Sequence, residues 1–455
     1  MQTTELREIS SSYIEKIYKD YAIYVCESRA IPKVSDGLKD ALRKAHWILK
    51  DKNNEIKTLS LVGEMISSGL YLHGDAPASE AISMAASPFN NNVPLIEGIG
   101  NFGTKVTPKD FGAPRYTYVK RSFYAQKILY NDLDLVPLKE NYDGSTKEPI
   151  TFLPILPLVL LNGVSGIAVG WSTEILPRSL SQLIDVTIAV LNGNLNNVDL
   201  SPRFTYLDVD IKKISENSYE INGKIERKEN DVLVIREIPP YSSIEKVKKN
   251  LDFLLDSDFI KDWNDYSSEE INIEIKFKKG DLNNFDDDFL LKKLKLSEKV
   301  TERIVVIDFD GKKIKQYNDP LSLVIDFVNW RLGFYKFRFE KLLREKEREI
   351  FYNFCLLQCF ERNLIKNFIK FHNKKEIMNY MKEELQEFDP DDEILEKIVN
   401  LPTYFWSKEK KEEIDKKIEQ MLNDINNYKH ILSSDENLKK EYIKEVMEIR
   451  KIIKK

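Results

Sequence analysis

The chain contains 21 tyrosines, and most of them must serve packing rather than chemistry. Tyr116 stands apart by its neighbours. It directly follows Arg115 inside a stretch from Lys105 to Lys127 whose charges are Lys105, Lys109, Arg115, Lys120, Arg121 and Lys127 against the single acid Asp110. The glycine-bearing segment GNFGT precedes it, and a helix is expected from about Lys120 onward. A phenol with a pKa of ~10 is a weak nucleophile at neutral pH, so a guanidinium and a metal-bound phosphate would be needed to favour the phenolate and the crowded phosphorane. The pair is therefore one candidate for a nucleophile beside its cation, and from its residues alone the lesser reading. On residue types alone, a packing tyrosine on a solvated basic face fits better.

Other chemistries are less supported. Asp208/Asp210 and Asp308/Asp310 would each set two carboxylates on one strand face and could hold magnesium, but acids on the wet face of an antiparallel strand look the same, and that reading is preferred. His73, in HGD, has no second imidazole at metal-site spacing among only four histidines, so a polar contact to phosphate is the better role. Gly163, Gly166 and Gly170 lack dinucleotide-fingerprint spacing, and no glycine-rich run ends in Gly-Lys-Ser/Thr, which leaves ATP binding unsupported. Cys26, Cys355 and Cys359 form no even-numbered disulfide framework and read as inert packing residues in a reducing compartment.

These residues need elements to position them. A length of 455 residues implies about three domains, and 42% hydrophobic with 31% charged residues fits a globular protein with long charged helices. The net charge of −5 does not announce a nucleic-acid partner, yet Arg29 to Lys50 carries six basic residues against Asp36 and Asp40. The MQTTELREIS start shows no signal-peptide pattern. The apolar run Leu153 to Trp171 carries Pro154, Pro157, Asn162, Gly163, Gly166 and Gly170, so it reads as buried turns and short strands, not a membrane span. Residues 1 to about 150 read as mostly helical, and about 203 to 310 as strand-rich, with a hairpin signal at Asn222-Gly223. From about 321 onward the pattern predicts long helices. Ile414, Ile418, Met421, Ile425, Tyr428 and Leu432 follow a/d spacing, and Leu323 to about Lys366 would return antiparallel after a globular turn at about 367–405. The fold class is α+β, in several domains.

The motifs SRAIPKVSDGLKDALRK, HGD with SPFN, EGIGNFGT, APRYT, NYDGS, LPLVLLNGVSGIAVGWSTEILP, REIPPYS and HILSSDENL occur in one order over almost the whole chain. In that order they resemble the breakage-rejoining subunits of type IIA DNA topoisomerases, the A subunits of gyrase and topoisomerase IV. Short length and the proline before Arg-Tyr look most like the medium-subunit branch of T-even-type bacteriophages. The resemblance implies a winged-helix DNA-cleavage domain over 1–150, with a helix-turn-helix near Thr58 to Met84, a tower domain over 151–320, and a coiled coil with dimer gate over 321–455. It implies Tyr116 and Arg115 as the catalytic pair, forming a transient 5′-phosphotyrosyl link. Arg29, Lys39, Arg43, Lys44 and His73 would contact DNA phosphates or support the site, and Ile175 would wedge between base pairs. Leu42, Lys44 and Tyr71 depart from the histidine, arginine and histidine usual in bacterial relatives.

The resemblance further implies a homodimer on double-stranded DNA, with Mg2+ held by a separate subunit together with the DNA phosphate, and ATP bound by a partner subunit. Without a DNA-wrapping propeller, relaxation and decatenation are expected over supercoiling. The expected location is cytoplasmic, in the bacterial host if phage-encoded, with no membrane association. Two rival readings remain, a DNA-bridging structural dimer without the chemistry and a tyrosine recombinase. The APRYT and NGVSGIAVG context argues against the second.

Overall fold

The computed structural model describes residues 14, 16–229 and 231–453; the MQTTELREIS segment lies outside them. The chain forms two compact units, one of Met1–Arg331 with Ile443–Lys455, the other Leu332–Tyr442.

In the larger unit helical residues 16–25 run into a short π-helical turn, Cys26–Ala30, followed by α1 (Asp40–Leu49). Next come β1 (Ile56–Lys57), α2 (Thr58–Ser67), α3 (Asp75–Ala86), β2 (Ile96–Ile99) and β3 (Tyr118–Arg121). Ala78, Ile82 and Ala86 of α3 fall four residues apart, one stripe of a helix, and they are buried against Leu61, Val62 and Met65 of α2 and Leu49 of α1. An antiparallel sheet ordered β1-β3-β2 closes this core through Ile96 and Val119. The sequence reading of a mostly helical segment missed this sheet, because strands of two to four residues are too short to display a period of two.

After α4 (Phe123–Ile128) and the small ribbon β4 (Leu138–Glu140) with β5 (Lys147–Pro149), the apolar run is buried from Phe152 to Leu161. It then turns out as a hairpin, β6 (Val164–Ile167) with β7 (Ser172–Ile175), and leads to α5 (Leu180–Leu191). Two further sheets follow. One is ordered β14-β9-β8 (Ser297–Thr301, Ser218–Asn222, Asp210–Ser215); the other is β10-β11-β13-β12 (Lys224–Lys228, Val232–Glu237, Ile273–Lys276, Asp262–Asp265). Leu233, Ile235 and Ile275 pack under Val247, Leu251 and Leu254 of α6 (Ile244–Asp256), with α7 (Asp287–Lys293) alongside.

The Asn222-Gly223 hairpin expected from sequence does not form. β9 pairs with β8 and β14, β10 with β11, and the chain changes sheets at Gly223. A Cβ there would lie 2.3 Å from the Glu237 carbonyl oxygen, so glycine serves a close backbone crossing rather than a turn. Neither aspartate pair shares a strand face. Asp208 precedes β8 and pairs with Lys224 at 2.7 Å, whereas Asp308 follows β15 (Ile304–Ile307) and accepts the amides of Lys312 and Lys313 before β16 (Ile314–Tyr317).

A fully buried ion pair ties these parts together. The Arg178 guanidinium meets Glu302 and donates to the carbonyls of Leu176 (2.6 Å) and Leu200 (2.9 Å), while Glu302 also accepts the Leu176 amide at 2.9 Å. Every polar atom of that contact is thereby occupied, the condition under which buried charges are tolerated.

The long helix α8 (Pro320–Glu361) carries the chain into the smaller unit, which holds α9 (Lys374–Glu384), α10 (Asp392–Val399) and α11 (Lys408–Leu432); α12 (Asp435–Ile453) follows. Ile414, Met421 and Ile425 are buried and Ile418, Tyr428 and Leu432 half-buried, so every a/d residue is at least half-buried; Ile431, beside Leu432, is buried. Its partner is antiparallel α8, with Phe339 beside Tyr428 (5.9 Å) and Glu349 paired to Lys417 (2.8 Å). Cys355 and Cys359 pack against Leu395 and Ile398, and burial pushes their thiols up to about 11 and about 12.

His46 of α1 is buried, bonded through Nδ1 to the Tyr130 hydroxyl at 2.7 Å, and burial pulls its pKa down to about 4. The unfolded chain, near the ordinary ~6.5, then binds the proton first. This contribution is complete above pH ~6.5 and is lost as pH falls through about 4. Urea unfolding of wild type should therefore lose stability between pH 7 and 5, and His46→Gln should lose less; identical slopes would remove His46 as the cause.

Candidate functional site

Tyr116 sits on a turn fixed at both ends. Its amide donates to Ala113 O (2.8 Å), the Leu59 amide donates to Pro114 O (3.1 Å), and Thr117 is joined to Thr58 by backbone (3.0 Å) and hydroxyl (2.8 Å) contacts at the start of α2. The backbone is held by a helix end while the side chain is left outside it. Tyr116 is 70% exposed, and the Arg115 guanidinium lies 4.8 Å from its ring centre. A phenol presented this way can meet a large ligand.

A second feature is a cleft of about 310 Å³ lined by Tyr24, Lys33, Lys44, Tyr71, His73 and Lys139, among others; Tyr116 does not line it. Arg29 Nη2 donates to His73 Nδ1 at 3.1 Å, which places the imidazole proton on Nε2, 2.8 Å from the Tyr24 hydroxyl. Tyr71 meets the imidazole edge-on at 5.3 Å. Burial, then the charges of Arg29 and Lys44, lower the His73 pKa, so the ring is neutral at pH 7. The structure brings Arg29, His73 and Lys44 to this one region. Tyr24, Asp36 and Glu148, which the sequence did not single out, complete it.

Three expected phosphate contacts, Arg43, Lys44 and Lys39, are engaged within the chain. Arg43 is 2% exposed and donates to Asp36 at 2.7 and 2.9 Å and to Leu38 O at 2.6 Å, so its guanidinium is taken up by buried contacts of this chain. Asp36 also accepts the amides of Leu38 and Phe152. Lys44 lies between Asp40 (2.9 Å) and Glu148 (3.1 Å); burial pulls its pKa down, but the two carboxylates outweigh that and raise it. Lys39 donates to Ser165 O at 2.8 Å at the base of the β6-β7 hairpin. Within the second basic stretch, Lys105 and Lys120 are paired with acids and Arg121 with Lys50 O and Asn53, while Lys109, Arg115, Tyr116 and Lys127 are exposed.

The hairpin places the two isoleucines differently. Ile175, the expected wedge, is 1% exposed at the inner end of β7, whereas Ile167, at the outer end of β6, is 86% exposed. The sequence signal was available, since turn-forming Gly170 lies close after Ile167 whereas Ile175 is followed by apolar Leu176. The hairpin is docked by the bridge Glu174↔Arg303 and by Gly166, where a Cβ would lie 2.1 Å from Ala30 O.

Magnesium requires several hard oxygen ligands. Among the described residues no group of three or more Asp, Glu, His or Cys side chains is gathered for a metal, and the cleft acids Asp40 and Glu148 are committed to Lys44. The residues here do not make a magnesium site by themselves. Among the described residues, no helix is long and apolar enough to cross a membrane.

A family model for the DNA gyrase/topoisomerase IV A-type polypeptide matches residues 29–447. The chain belongs to this family of type II topoisomerase cleavage and re-ligation subunits, which are isomerases. Within it, the DNA topoisomerase medium subunit of Enterobacteria phage T4 is 32% identical over 342 residues, covering 72% of this chain and 74% of that protein. DNA topoisomerase 2 of Meyerozyma guilliermondii is 30% identical over 76% of this chain, which spans only 25% of that longer protein. The crystal structure of the Plasmodium falciparum topoisomerase II DNA-binding, cleavage and re-ligation domain shares the fold, with a TM-score of 0.81 at 23% identity over 96% of this chain and 64% of that one. The family resemblance carried by the sequence motifs is borne out.

Burial separates two kinds of residue that sequence placed together. Arg43→Met leaves Asp36 buried without its cation and should lower unfolding free energy by about 3–5 kcal/mol. Ile167→Ala, on an exposed tip, should change it by less than about 0.5 kcal/mol. Chemical denaturation checks both, and similar values for the two would contradict the assignment.

Proposed function

We propose that this chain is the DNA-breaking and rejoining subunit of a type II topoisomerase, with Tyr116 as its nucleophile. The observation that carries the reading is the exposed Tyr116 beside Arg115, on a turn fastened to α2, in a chain of this family. The phenolic oxygen attacks a DNA backbone phosphorus, the bond from phosphorus to the 3′-oxygen breaks, and the phenolic proton is lost as the 3′-hydroxyl gains one. The product is a 5′-phosphotyrosyl link, and the reverse attack reseals the strand without ATP. Arg115 supplies positive charge where the phosphorane develops negative charge.

In this reading α1–α3 with their sheet are the winged-helix domain, the sheets around α6 belong to the tower, and α8 with α11 forms the coiled coil leading to a dimer gate. Arg29 and neutral His73 hold DNA phosphate, positioning the duplex without reading its sequence. Lys39 acts indirectly, by supporting the hairpin through Ser165. Ile167 takes the wedge role, unstacking a base step at a cost of a few kcal/mol that bent-DNA contacts offset. Two copies of the chain cut opposite strands in a homodimer, matching the two-fold symmetry of the duplex. Mg2+ and ATP are supplied by separate partner subunits, and duplex passage yields relaxation and decatenation.

Tyr116→Phe keeps the ring and removes the nucleophilic oxygen. Mixed with partner subunits, ATP, Mg2+ and supercoiled DNA, it should form protein-linked breaks at less than about one-hundredth of the wild-type level while binding DNA within about threefold. Persisting breaks would remove Tyr116 from the reaction. A wild-type complex that bound and bridged DNA without ever breaking it would favour a structural dimer.

A further inference from the structure

The residues leading to Tyr116 form a closed loop with one foot in each of two cores. At its base Phe102, packed into the core of α1–α3, bridges to Phe111, and the Gly112 amide donates to Asn101 O at 2.9 Å. At its tip Lys105 pairs with Glu237 at 3.4 Å and with Glu270, while Val106 packs on the hydrophobic core beneath α6. The span between is stiff. Thr104 and Thr107 bond through backbone (3.1 Å) and hydroxyls (2.9 Å), Asn90 donates to Pro108 O (2.6 Å), and a Cβ on Gly103 would lie 2.5 Å from that same oxygen. Directly after Gly112 the chain enters the Ala113–Tyr116 turn.

Glu237 fixes the far foot. Its side chain is 1% exposed and accepts the amides of Asp208 (3.1 Å) and Ile238 (3.2 Å), which leaves Lys105 as the cation that balances a buried carboxylate. Glu270, 72% exposed, is the outer partner. A lysine held between two carboxylates has little positive potential left for a phosphate, even though it opens the basic stretch around Tyr116.

We infer that the 102–111 loop is a strut through which the sheets around α6 set the position of Tyr116, with Lys105 as the positioning residue at its far end. Any shift of those sheets when DNA is engaged would be delivered to the nucleophile through this loop; the inference rests on the proposed role of Tyr116. Misplacing reacting atoms by about 1 Å can cost up to ~100-fold in rate, so losing one anchor should show in the chemical step and not in binding.

The test uses the complete complex with partner subunits and Mg2+, reading single-turnover formation of the covalent adduct at saturating DNA and, separately, DNA affinity against salt. Lys105→Met should slow adduct formation about tenfold with affinity within about twofold. Lys105→Arg should recover to within about threefold, and Glu270→Gln, which alters only an exposed acid, should slow the step by a smaller factor. If Lys105→Met unfolds the chain, Glu270→Gln decides. Lost affinity with a reduced salt slope and an unchanged rate at saturation would make Lys105 a phosphate contact and overturn the inference. An adduct at wild-type rate in Lys105→Met and Glu270→Gln overturns the strut alone, whereas no adduct in wild type overturns the Tyr116 reading and the strut with it.

Discussion

The buried pair of Asp36 and Arg43 is the contact on which the rest of the site is built. Asp36 carries no solvent exposure and collects the guanidinium of Arg43 together with the amides of Leu38 and Phe152. Burial alone would raise its pKa, but the guanidinium and the amides hold the carboxyl below its usual range. The turn before α1 and α1 itself meet there with a segment distant in sequence, the apolar run beginning at Phe152. Gly37, at φ +68°, lets that turn lie backbone to backbone against Val159, since a Cβ would come 2.3 Å from its nitrogen. The run it grips leads into the β6-β7 hairpin, so the cleft wall and the exposed isoleucine share one foundation.

That arrangement explains why counting charges overstated the phosphate-binding surface. Arg43, Lys44, Lys105 and Lys120 are all engaged with acids of the same chain. A buried charge must find an opposite one, and a sequence window does not reveal acids such as Glu148 or Glu237 that arrive from elsewhere. What remains for a ligand is a smaller set, Lys109, Arg115 and Lys127 on the surface with Arg29 and His73 at the cleft.

The legible parts of the fold were those whose signal is local or periodic. The buried face of α11 was readable because Ile414, Met421 and Ile425 repeat over three turns; at its end Ile431 is buried more deeply than its apolar neighbour Leu432. The arginine and the loop beside Tyr116 made it only one candidate among 21 tyrosines, and the family motifs then singled it out. The burial of Ile175 and the exposure of Ile167 were not legible from the motif, because it supplies isoleucines without saying which face of the hairpin each one takes, and a strand reverses face at every residue. Asn222-Gly223 misled because glycine permits both a tight turn and a close crossing, and only the pairing of neighbouring strands separates the two.

Gly166 places a limit on how this architecture can vary. A Cβ on it would meet the Ala30 carbonyl, and the Lys39 amine bonds to the adjacent Ser165 carbonyl, so this position in the inner half of the hairpin has no room for a side chain. The outer end is closed by the Ala168–Trp171 turn, with Gly170 at φ +78° and open space about it. Insertions and substitutions are therefore absorbed at the outer turn alone. Descendants of this chain can change the reach and chemistry of the tip while inheriting its aim unchanged.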